Sequence, residues 1–245
     1  MIQTQNLTKR FGSKTAVRDL DLEIAGGEFF CFLGPNGAGK TTTIKMLTGL
    51  LRPSSGRALV GGFDVEQEPL RAKRLLGYIP DTPFLYDRLT GRELLRFVAG
   101  LYRMPENGLD ARSDEILAEF GILEVSDQLI ESMSHGMRQK LSFASCFFHD
   151  PRVVVVDEPW VGLDPRSIRS VKDYLRRRTR DGITVFMSTH SLAIAEEVAD
   201  RIGIIHQGRL LHLGTVDEIK ALAENPGSLE DVFLELTRDE AEGIV

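Results

Sequence analysis

The segment Gly34-Pro35-Asn36-Gly37-Ala38-Gly39-Lys40-Thr41 restricts the possible folds of this chain more than any other part of its sequence. It has the spacing G-x-x-x-x-G-K-[ST] and lies between an apolar run, residues 29–33, and a helical pattern carried by Ile44, Leu47 and Leu51. Glycines let successive N–H groups converge on a phosphate, and the following helix adds the positive end of its dipole. In such a loop the lysine contacts the outer phosphates, and the threonine hydroxyl can bind Mg²⁺. The sequence therefore predicts a phosphate-binding turn; a glycine-rich turn without a ligand is the alternative.

Two further apolar runs, Val153-Val154-Val155-Val156 and Ile183-Thr184-Val185-Phe186-Met187, are each followed by helical periodicity. Alternation of strand and helix is typical of a parallel α/β sheet. Near the N-terminus, Leu20, Leu22 and Ile24 alternate with acidic residues instead, which predicts a half-exposed strand of an antiparallel sheet. We therefore expect an α/β fold with a mostly parallel sheet and an N-terminal antiparallel β subdomain.

Between residues 84 and 149 the pattern is helical, and the chain beyond Gly214 contains short amphipathic segments. Capping boxes at Thr90 and Glu93, at Thr215 and Glu218, and at Ser228 and Asp231 mark three helix starts. Three helices are predicted in the first of these stretches, carrying Leu94, Val98 and Leu101, then Ile116 and Phe120, then Met137, Leu141 and Phe148. We expect one domain over residues 1–245: an α/β core formed by 1–83 and 150–213, a helical insertion at 84–149 and a C-terminal helical appendage at 214–245.

Composition argues against several classes of protein. The 245 residues carry a formal net charge of −6, which gives no electrostatic reason to expect nucleic acid as a partner. No apolar stretch approaches the ~18 residues that suggest a membrane span, and the first residues lack the layout of a secretory signal. Cys31 and Cys146 are far apart and outside any C-x-x-C, which predicts two buried thiols in a reducing compartment rather than a disulfide or a zinc site.

Two carboxylates, Asp157 and Glu158, end the run of four valines abruptly. The carboxyl ends of the strands are the edge at which α/β sheets bind ligands. Asp157 is therefore predicted to hold Mg²⁺, and Glu158 to polarise an attacking water molecule. An ordinary acidic pair on a loop is the alternative, but it does not explain why the acids terminate so apolar a strand.

The segment Met133-Ser134-His135-Gly136-Met137 precedes this strand, and Gly162-Leu163-Asp164 and Ser188-Thr189-His190 follow it. In this order the motifs resemble those of the ATP-binding subunits of ABC transporters, over nearly the whole chain. The resemblance implies a RecA-like P-loop NTPase core whose ATP is sandwiched between two copies. Ser134 and Gly136 would then contact the γ-phosphate of ATP held by the partner copy's Gly34-to-Thr42 loop. A helix N-terminus at Ser134 would suit that role, because its N–H groups are free to bind an anion.

The resemblance implies roles for four further residues. Glu158 corresponds to the general base, and His190 to a switch residue that contacts the γ-phosphate and orients water. Phe11 corresponds to an aromatic residue that stacks on adenine, although a core phenylalanine would look the same in the sequence. Asp164 corresponds to a loop that communicates between the copies, and with the proline that follows it also makes an ordinary helix start.

Three departures from the family pattern stand out. The family's signature segment, here Met133-Ser134-His135-Gly136-Met137, keeps Ser134 and Gly136 but has His135 and Met137 where glycine and glutamine are usual. Asp81 occupies the position of a glutamine that links Mg²⁺ to the membrane partner; a carboxylate can ligate Mg²⁺ but adds negative charge beside a triphosphate. Trp160 stands where a small polar residue is common, and packing under the loop is its simplest role.

These features predict a Mg²⁺-dependent ATPase that binds ATP between two copies, or between one copy and a homologue, and drives a separately encoded membrane permease. The resemblance implies a cytoplasmic position against the inner face of the cell membrane, through the permease. The signature variant and the run Leu229-Glu230-Asp231-Val232-Phe233-Leu234 are similar to ATPases of ABC-2 type exporters. Two alternatives stay open: an ABC-type ATPase without a membrane partner, such as those of iron–sulfur assembly, and a regulatory module that has lost turnover.

Overall fold

The computed structural model describes residues 1–160, 162–222 and 229–238, and these form two β-sheets surrounded by helices. The strands are β1 (Ile2–Phe11), β2 (Lys14–Ile24), β3 (Phe29–Leu33), β4 (Ser55–Val60), β5 (Phe63–Asp64), β6 (Leu76–Ile79), β7 (Val153–Asp157), β8 (Thr184–Thr189), β9 (Arg201–His206) and β10 (Arg209–Gly214). The helices are α1 (Lys40–Leu47), α2 (Pro69–Leu75), α3 (Gly91–Tyr102), α4 (Leu109–Glu119), α5 (His135–Phe147), α6 (Pro165–Arg180), α7 (Leu192–Val198), α8 (Val216–Lys220) and α9 (Leu229–Arg238).

The larger sheet has the strand order β10-β9-β3-β8-β7-β6. Every pair in it is parallel except β9 and β10. Strands β3, β7 and β8 are buried at every residue, because alternate side chains enter two different cores. Phe30, Val155 and Phe186 pack towards α1 and the smaller sheet, whereas Cys31, Val154 and Met187 pack towards the remaining helices. The predicted α/β fold with a mostly parallel sheet is confirmed.

The smaller sheet is antiparallel, with the order β2-β1-β4-β5. In β2 the side chains of Leu20, Leu22 and Ile24 are buried, while Asp21 and Glu23 between them are exposed. A strand with one face on the core and one in water produces this alternation, so the antiparallel N-terminal strand predicted from it is confirmed.

Helices α3, α4 and α5 follow one another between β6 and β7. Thr90 and Glu93 form the predicted capping box of α3, with each side chain bonded to the other residue's backbone N–H. Phe120 and Phe148 are C-caps of α4 and α5 rather than helical residues, so both helices end one residue earlier than the apolar spacing suggested. The three helices share one continuous hydrophobic core with the sheet face that carries Val154.

The strand predicted at residues 183–187 begins and ends later, at Thr184 and Thr189. Its last two residues pair with neighbouring strands, Ser188 with Asp157 and Thr189 with Leu33. Backbone pairing therefore extends the strand beyond its apolar run, since a polar side chain does not prevent its backbone from hydrogen bonding.

The C-terminal segment packs against the same core. Thr215 and Glu218 form the second predicted capping box, at the start of α8. In α9, Leu229 and Val232 are buried in the core cluster. The third predicted capping residue, Ser228, lies outside the described residues.

Cys31 and Cys146 are both buried and neither forms a disulfide. Burial raises the pKa of each thiol far above its ordinary value, so both stay protonated at neutral pH. Within the part of the chain that the structure describes, no helix combines the length and apolar character needed to span a membrane.

Close packing of α5 on β6 leads to a test of the fold. A Cβ atom on Gly77 would lie 2.4 Å from Cys146 Sγ and 3.2 Å from the Cys146 carbonyl oxygen. Overpacking of this kind is expected to make Gly77→Ala less stable by about 1–3 kcal/mol in urea unfolding. Gly100→Ala is the matched control, because Gly100 lies on the exposed face of α3 with nothing within 4 Å of its missing Cβ. The control is expected to gain up to ~1 kcal/mol from helix propensity; equal stability of the two variants would contradict this account of the packing.

Candidate functional site: a phosphate-binding cleft at the sheet edge

The glycine-rich loop connects the end of β3 to the start of α1 and lies at the carboxyl edge of the parallel sheet. Helix α1 has Gly39 as its N-cap, with no side-chain cap and no acidic residue in its first turn. Its first N–H groups therefore remain available to an anion, and nothing in that turn cancels the positive end of the helix dipole.

At two positions of the loop, neighbouring backbone lies too close to leave room for any side chain, so only glycine fits. A Cβ atom on Gly34 would lie 2.3 Å from the Ile205 carbonyl oxygen. Gly39 has φ +112°, and its Cβ would lie 2.6 Å from the Ala16 carbonyl oxygen. The loop is thus held against β9 on one side and β2 on the other at distances that only glycine allows.

A cleft of about 530 Å³ opens above this loop, a volume in the range of small-molecule sites. Gly34 and Ala38 are buried within the loop below it. The cleft brings together predicted residues from four separate parts of the sequence. Its lining comprises Phe11, Lys14, Ala16, Pro35, Asn36, Gly37, Gly39, Lys40, Thr41, Thr42, Asp81 and Glu158.

Lys40 is the cation at the base of the cleft, and its side chain is only 6% exposed. Its ammonium group donates to the carbonyl oxygens of Gly34 at 2.7 Å and Pro35 at 3.3 Å. The same nitrogen lies 3.4 Å from Glu158 Oε1. Lys40 therefore links the phosphate loop to the carboxylate of Glu158, the residue that follows β7.

Glu158 and His190 lie next to each other, although they are 32 residues apart in the sequence. His190 Nδ1 is 2.8 Å from Glu158 Oε2, and the histidine ring is largely exposed. An ionised carboxylate can only accept, so in this contact Nδ1 carries the hydrogen. Glu158 has φ +44°, a left-handed conformation that is unusual for a residue other than glycine. The structure thus joins the predicted base and the predicted switch residue in a single contact.

Asp157 is 1% exposed and ends strand β7. Burial, the largest cause, raises the pKa of its carboxyl group; the neighbouring hydroxyls of Ser188 and Thr41 act in the opposite direction, and the nearby charges of Asp81 and Glu158 raise it further. Ser188 Oγ donates to Asp157 Oδ1, whereas the buried oxygen Oδ2 has no hydrogen-bond partner among the described residues. A buried carboxylate oxygen without a partner fits a cation-binding role, because isolation of that atom is otherwise costly.

The set of protein donors suits a cation that arrives with phosphate. In the described ranges, no group of three or more histidine, cysteine, aspartate or glutamate side chains could hold a metal ion. Mg²⁺ is usually held by one or two carboxylates together with water and substrate phosphates. Asp157 and the Thr41 hydroxyl fit this pattern, since Thr41 belongs to the phosphate loop and its hydroxyl is close enough to lower the pKa of the Asp157 carboxyl group.

Asp81 follows β6 and lines the same cleft. Its Oδ1 accepts from the Thr82 backbone N–H at 2.8 Å, and the side chain is exposed. Burial, with the charges of Asp157 and Asp81 as further causes, raises the pKa of Tyr78 to about 12. The Asp81 carboxylate therefore increases the negative potential on the Asp157 side of the cleft.

Phe11 is the last residue of β1 and is 50% exposed at the cleft wall. Lys9 Nζ lies 5.3 Å from the centre of its ring. A phenylalanine this exposed is not a core residue, so its position does not support the core alternative considered from the sequence.

Ser134 and Gly136 do not line the cleft of their own chain. Ser134 is the N-cap of α5, and its Oγ accepts from the Met137 N–H at 3.3 Å. His135 lies against Gly162, where an added Cβ would stand 1.9 Å from the ring carbon Cδ2. Met137 is partly buried against the main core. Helix α5, the signature helix, thus begins at Ser134 as predicted, but its first residues lie outside the cleft above the phosphate loop.

Asp164 caps helix α6. Its Oδ1 accepts from the N–H groups of Arg166 at 3.0 Å and Ser167 at 3.1 Å, and its Oδ2 accepts from the Ser167 hydroxyl. The Ser167 hydroxyl is the largest cause of a lowered Asp164 pKa. All three of these hydrogen bonds are N-cap contacts of α6, so within one chain Asp164 acts as an ordinary helix start.

Sequence reasoning assigned no role to three residues that the structure brings to the site. Ser188 bonds to both acidic residues at the end of β7. Gln139 donates from Nε2 to the Pro159 carbonyl oxygen at 3.0 Å and so ties α5 to the loop after Glu158, where Trp160 is partly buried against the core. Lys14 lines the cleft. The signal for Ser188 was its place at the end of an apolar strand, but only strand pairing identifies Asp157 as its neighbour.

Comparison with known proteins gives a consistent result. A family model described as "ABC transporter" matches residues 17–161. The linearmycin resistance ATP-binding protein LnrL of Bacillus subtilis (strain 168) is 36% identical over 219 residues, 89% of this chain and 70% of that protein. The ABC transporter ATP-binding protein NatA of the same bacterium is 33% identical over 239 residues, which are 96% of this chain and 97% of NatA. A solved structure of an ATP-binding subunit of an ABC transporter has a TM-score of 0.91 and 32% identity, over 96% of this chain and 99% of that one.

The matched family segment covers more than half of the chain, and the similarity to NatA and to the solved subunit extends over nearly all of it. The predicted family and the predicted ATPase activity are confirmed. An ABC-type ATPase without a membrane partner is not favoured, since NatA and the solved structure are both described as ATP-binding components of ABC transporters. The chain belongs to the ABC transporter family, as one of its ATP-binding, ATP-hydrolysing subunits.

Proposed function

We propose that two nucleotide-binding subunits, two copies of this chain or one copy and a homologue, close around Mg²⁺-ATP and reopen after hydrolysis, and that this cycle drives a separately encoded membrane permease. The observation that carries the proposal is the position of Glu158, which lines the cleft with Lys40 and contacts both Lys40 and His190. The buried carboxylate of Asp157 ends the strand immediately before Glu158.

The triphosphate would be held by groups close to the phosphate loop and not by the overall charge of the protein. The net charge of −6 opposes an anionic ligand, so binding depends on the loop N–H groups, the uncapped start of α1 and Lys40. Phosphate oxygens would replace the Gly34 and Pro35 carbonyl oxygens as acceptors for the Lys40 ammonium group. Phe11 at the cleft wall offers its ring to the adenine.

Asp157 Oδ2, the Thr41 hydroxyl and Asp81 are the groups that would hold Mg²⁺. When bound, the ion neutralises charge that develops on the phosphates. Asp157 fits because its buried Oδ2 has no other partner, and Asp81 fits less closely, since its side chain is exposed.

Hydrolysis is assigned to Glu158 as the general base, which accepts a proton from the attacking water. His190, already bonded to Glu158 Oε2, orients the base and contacts the γ-phosphate. In the structure Glu158 Oε1 also faces Lys40 at 3.4 Å. Binding of phosphate to Lys40 would weaken that contact, so that the base becomes available when substrate is present.

The second subunit supplies the other half of each site. Ser134 and Gly136 lie at the start of the 13-residue helix α5 and away from their own cleft, so they can reach the γ-phosphate only of a nucleotide bound by another subunit. ATP then contacts both halves only when they are closed, which is the difference in affinity that shifts the equilibrium. Asp164 would lie in the loop between the two subunits.

The permease would dock on the helical insertion at residues 84–149, with the Asp81 loop at its base, and would hold the chain at the inner face of the membrane. LnrL, which is named for resistance to linearmycin, supports assignment to an exporter of the ABC-2 type. Co-purification with a membrane protein that has about six apolar ~20-residue segments tests this part of the proposal; its absence from both the purified complex and the neighbouring genes would contradict it.

Glu158→Gln tests the base. Removal of a general base is expected to slow ATP hydrolysis by about 10²–10⁴-fold while ATP binding is retained, because the amide cannot accept the proton. Light scattering should then detect a dimer that persists with ATP. Glu124→Gln, an exposed acid in a short 3₁₀-helix, is the control. Parental turnover in Glu158→Gln would remove Glu158 from this role.

Phe11→Ala tests the adenine contact. Loss of stacking is expected to weaken ATP binding by about 1–3 kcal/mol, and tripolyphosphate, which has no base, should bind as to the parent. Phe97→Ala is the control, since Phe97 is similarly exposed but lies on α3 against Tyr86. Equal losses of affinity for ATP and tripolyphosphate would show that Phe11 shapes the cleft and does not contact the adenine ring.

A mixing experiment tests the shared site. Lys40→Ala disables the phosphate loop, and Ser134→Arg places bulk at the start of α5; each variant alone should be inactive. In a dimer of the two, one composite site keeps both wild-type halves. Random pairing then predicts recovery of about a quarter of parental turnover on mixing. An inactive mixture, with both variants folded, would argue against sites built from two subunits.

A further inference from the structure

A single buried hydroxyl contacts both acidic residues at the end of β7. Ser188 is 0% exposed and lies directly opposite Asp157 in the pairing of β8 with β7. Its Oγ donates to Asp157 Oδ1 and accepts from the Glu158 backbone N–H at 3.3 Å. Asp157 and Glu158 are thus held by the same atom.

The bond to Asp157 decides which carboxylate oxygen stays free. A serine hydroxyl has one hydrogen to donate, and here Oδ1 takes it. Oδ2 remains buried without a hydrogen-bond partner among the residues described. Without the Ser188 hydroxyl, Oδ1 would lose this hydrogen bond as well. The carboxylate could then rotate more freely about the terminal torsion of Asp157.

The bond from Glu158 acts on the backbone. Glu158 has φ +44°, and its N–H lies 3.3 Å from both the Oγ and the carbonyl oxygen of Ser188. Unusual backbone conformations persist where the surrounding structure holds them in place. Here the strained turn directs the Glu158 side chain to Lys40 and His190.

We propose that Ser188 is a positioning residue for the reaction: its hydroxyl presents Asp157 Oδ2 to Mg²⁺ and fixes the turn that carries Glu158. The inference rests on the proposed function, because it assumes that Mg²⁺ binds with ATP at Asp157. Hydrogen-bonding partners of metal ligands typically affect metal affinity by about 10–100-fold, so the effect should be measurable.

Thr189 provides a matched control one residue further along the strand. It is also 0% exposed, and its hydroxyl accepts from the Ser191 N–H at 3.0 Å. No hydrogen bond links it to Asp157 or Glu158 in the described structure. Thr189→Val therefore removes a buried hydroxyl from the same strand without removing a hydrogen bond made by Asp157 or Glu158.

The experiment measures binding of a fluorescent ATP analogue by the 245-residue chain across a Mg²⁺ titration and in EDTA. Ser188→Ala is expected to need about tenfold more Mg²⁺ for the same increase in affinity for the ATP analogue. Its affinity in EDTA should be within about twofold of the parent's. Ser188→Thr, which keeps the hydroxyl, should restore the Mg²⁺ requirement, and Thr189→Val should match the parent. Turnover at saturating ATP should fall in Ser188→Ala and recover in Ser188→Thr.

A parental Mg²⁺ requirement in a folded Ser188→Ala protein would overturn the inference while leaving the proposed function intact. An equal shift in Thr189→Val would also overturn it, since any buried hydroxyl would then suffice. If the parent itself shows no Mg²⁺ enhancement, the metal assignment in the proposed function fails, and the inference fails with it. Should Ser188→Ala not fold, Ser188→Cys provides the comparison, because a thiol is a weaker donor and an intermediate shift is expected.

Discussion

The site depends on the register of the parallel strands β3, β8 and β7. Pairing of Leu33 with Thr189 and of Asp157 with Ser188 brings the phosphate loop, the acidic pair and His190 to a single edge of the sheet. The strands are buried on both faces, so a shift in register would move apolar side chains out of two cores at once. Packing energy from residues remote from the cleft therefore fixes the distances within it.

Charge within the cleft is balanced locally rather than by the molecule as a whole. Lys40 is nearly buried and faces its own loop carbonyls and Glu158, while Asp81 lines the cleft and Asp157 is buried next to Glu158 in the chain. A buried ammonium group is unstable without hydrogen-bond or charged partners, and the loop carbonyls and Glu158 provide them until a phosphate replaces them. The resting contacts of the lysine thereby connect occupancy of the loop with the environment of the base.

The departures from the family pattern have different physical consequences. His135 occupies space that Gly162 leaves open, since a Cβ atom there would overlap the ring. Substitution at one position of the signature is thus accommodated by a glycine in the loop after Glu158. Asp81 has no such compensation: it adds a carboxylate to a cleft whose buried acid, Asp157, already has a raised pKa. Its effect is electrostatic, not steric.

The sequence by itself determined the α/β class, the phosphate loop, the helix starts at Thr90 and Thr215, and the acidic end of β7, because periodicity, caps and loop spacing are local properties. Contacts between distant segments could not be predicted in this way. Only the tertiary structure decided that Ser188 bonds to Asp157, that Glu158 lies between Lys40 and His190, and that the signature helix begins away from its own cleft. These contacts follow from strand order and register, which are set by burial across the whole sheet and not by any one segment.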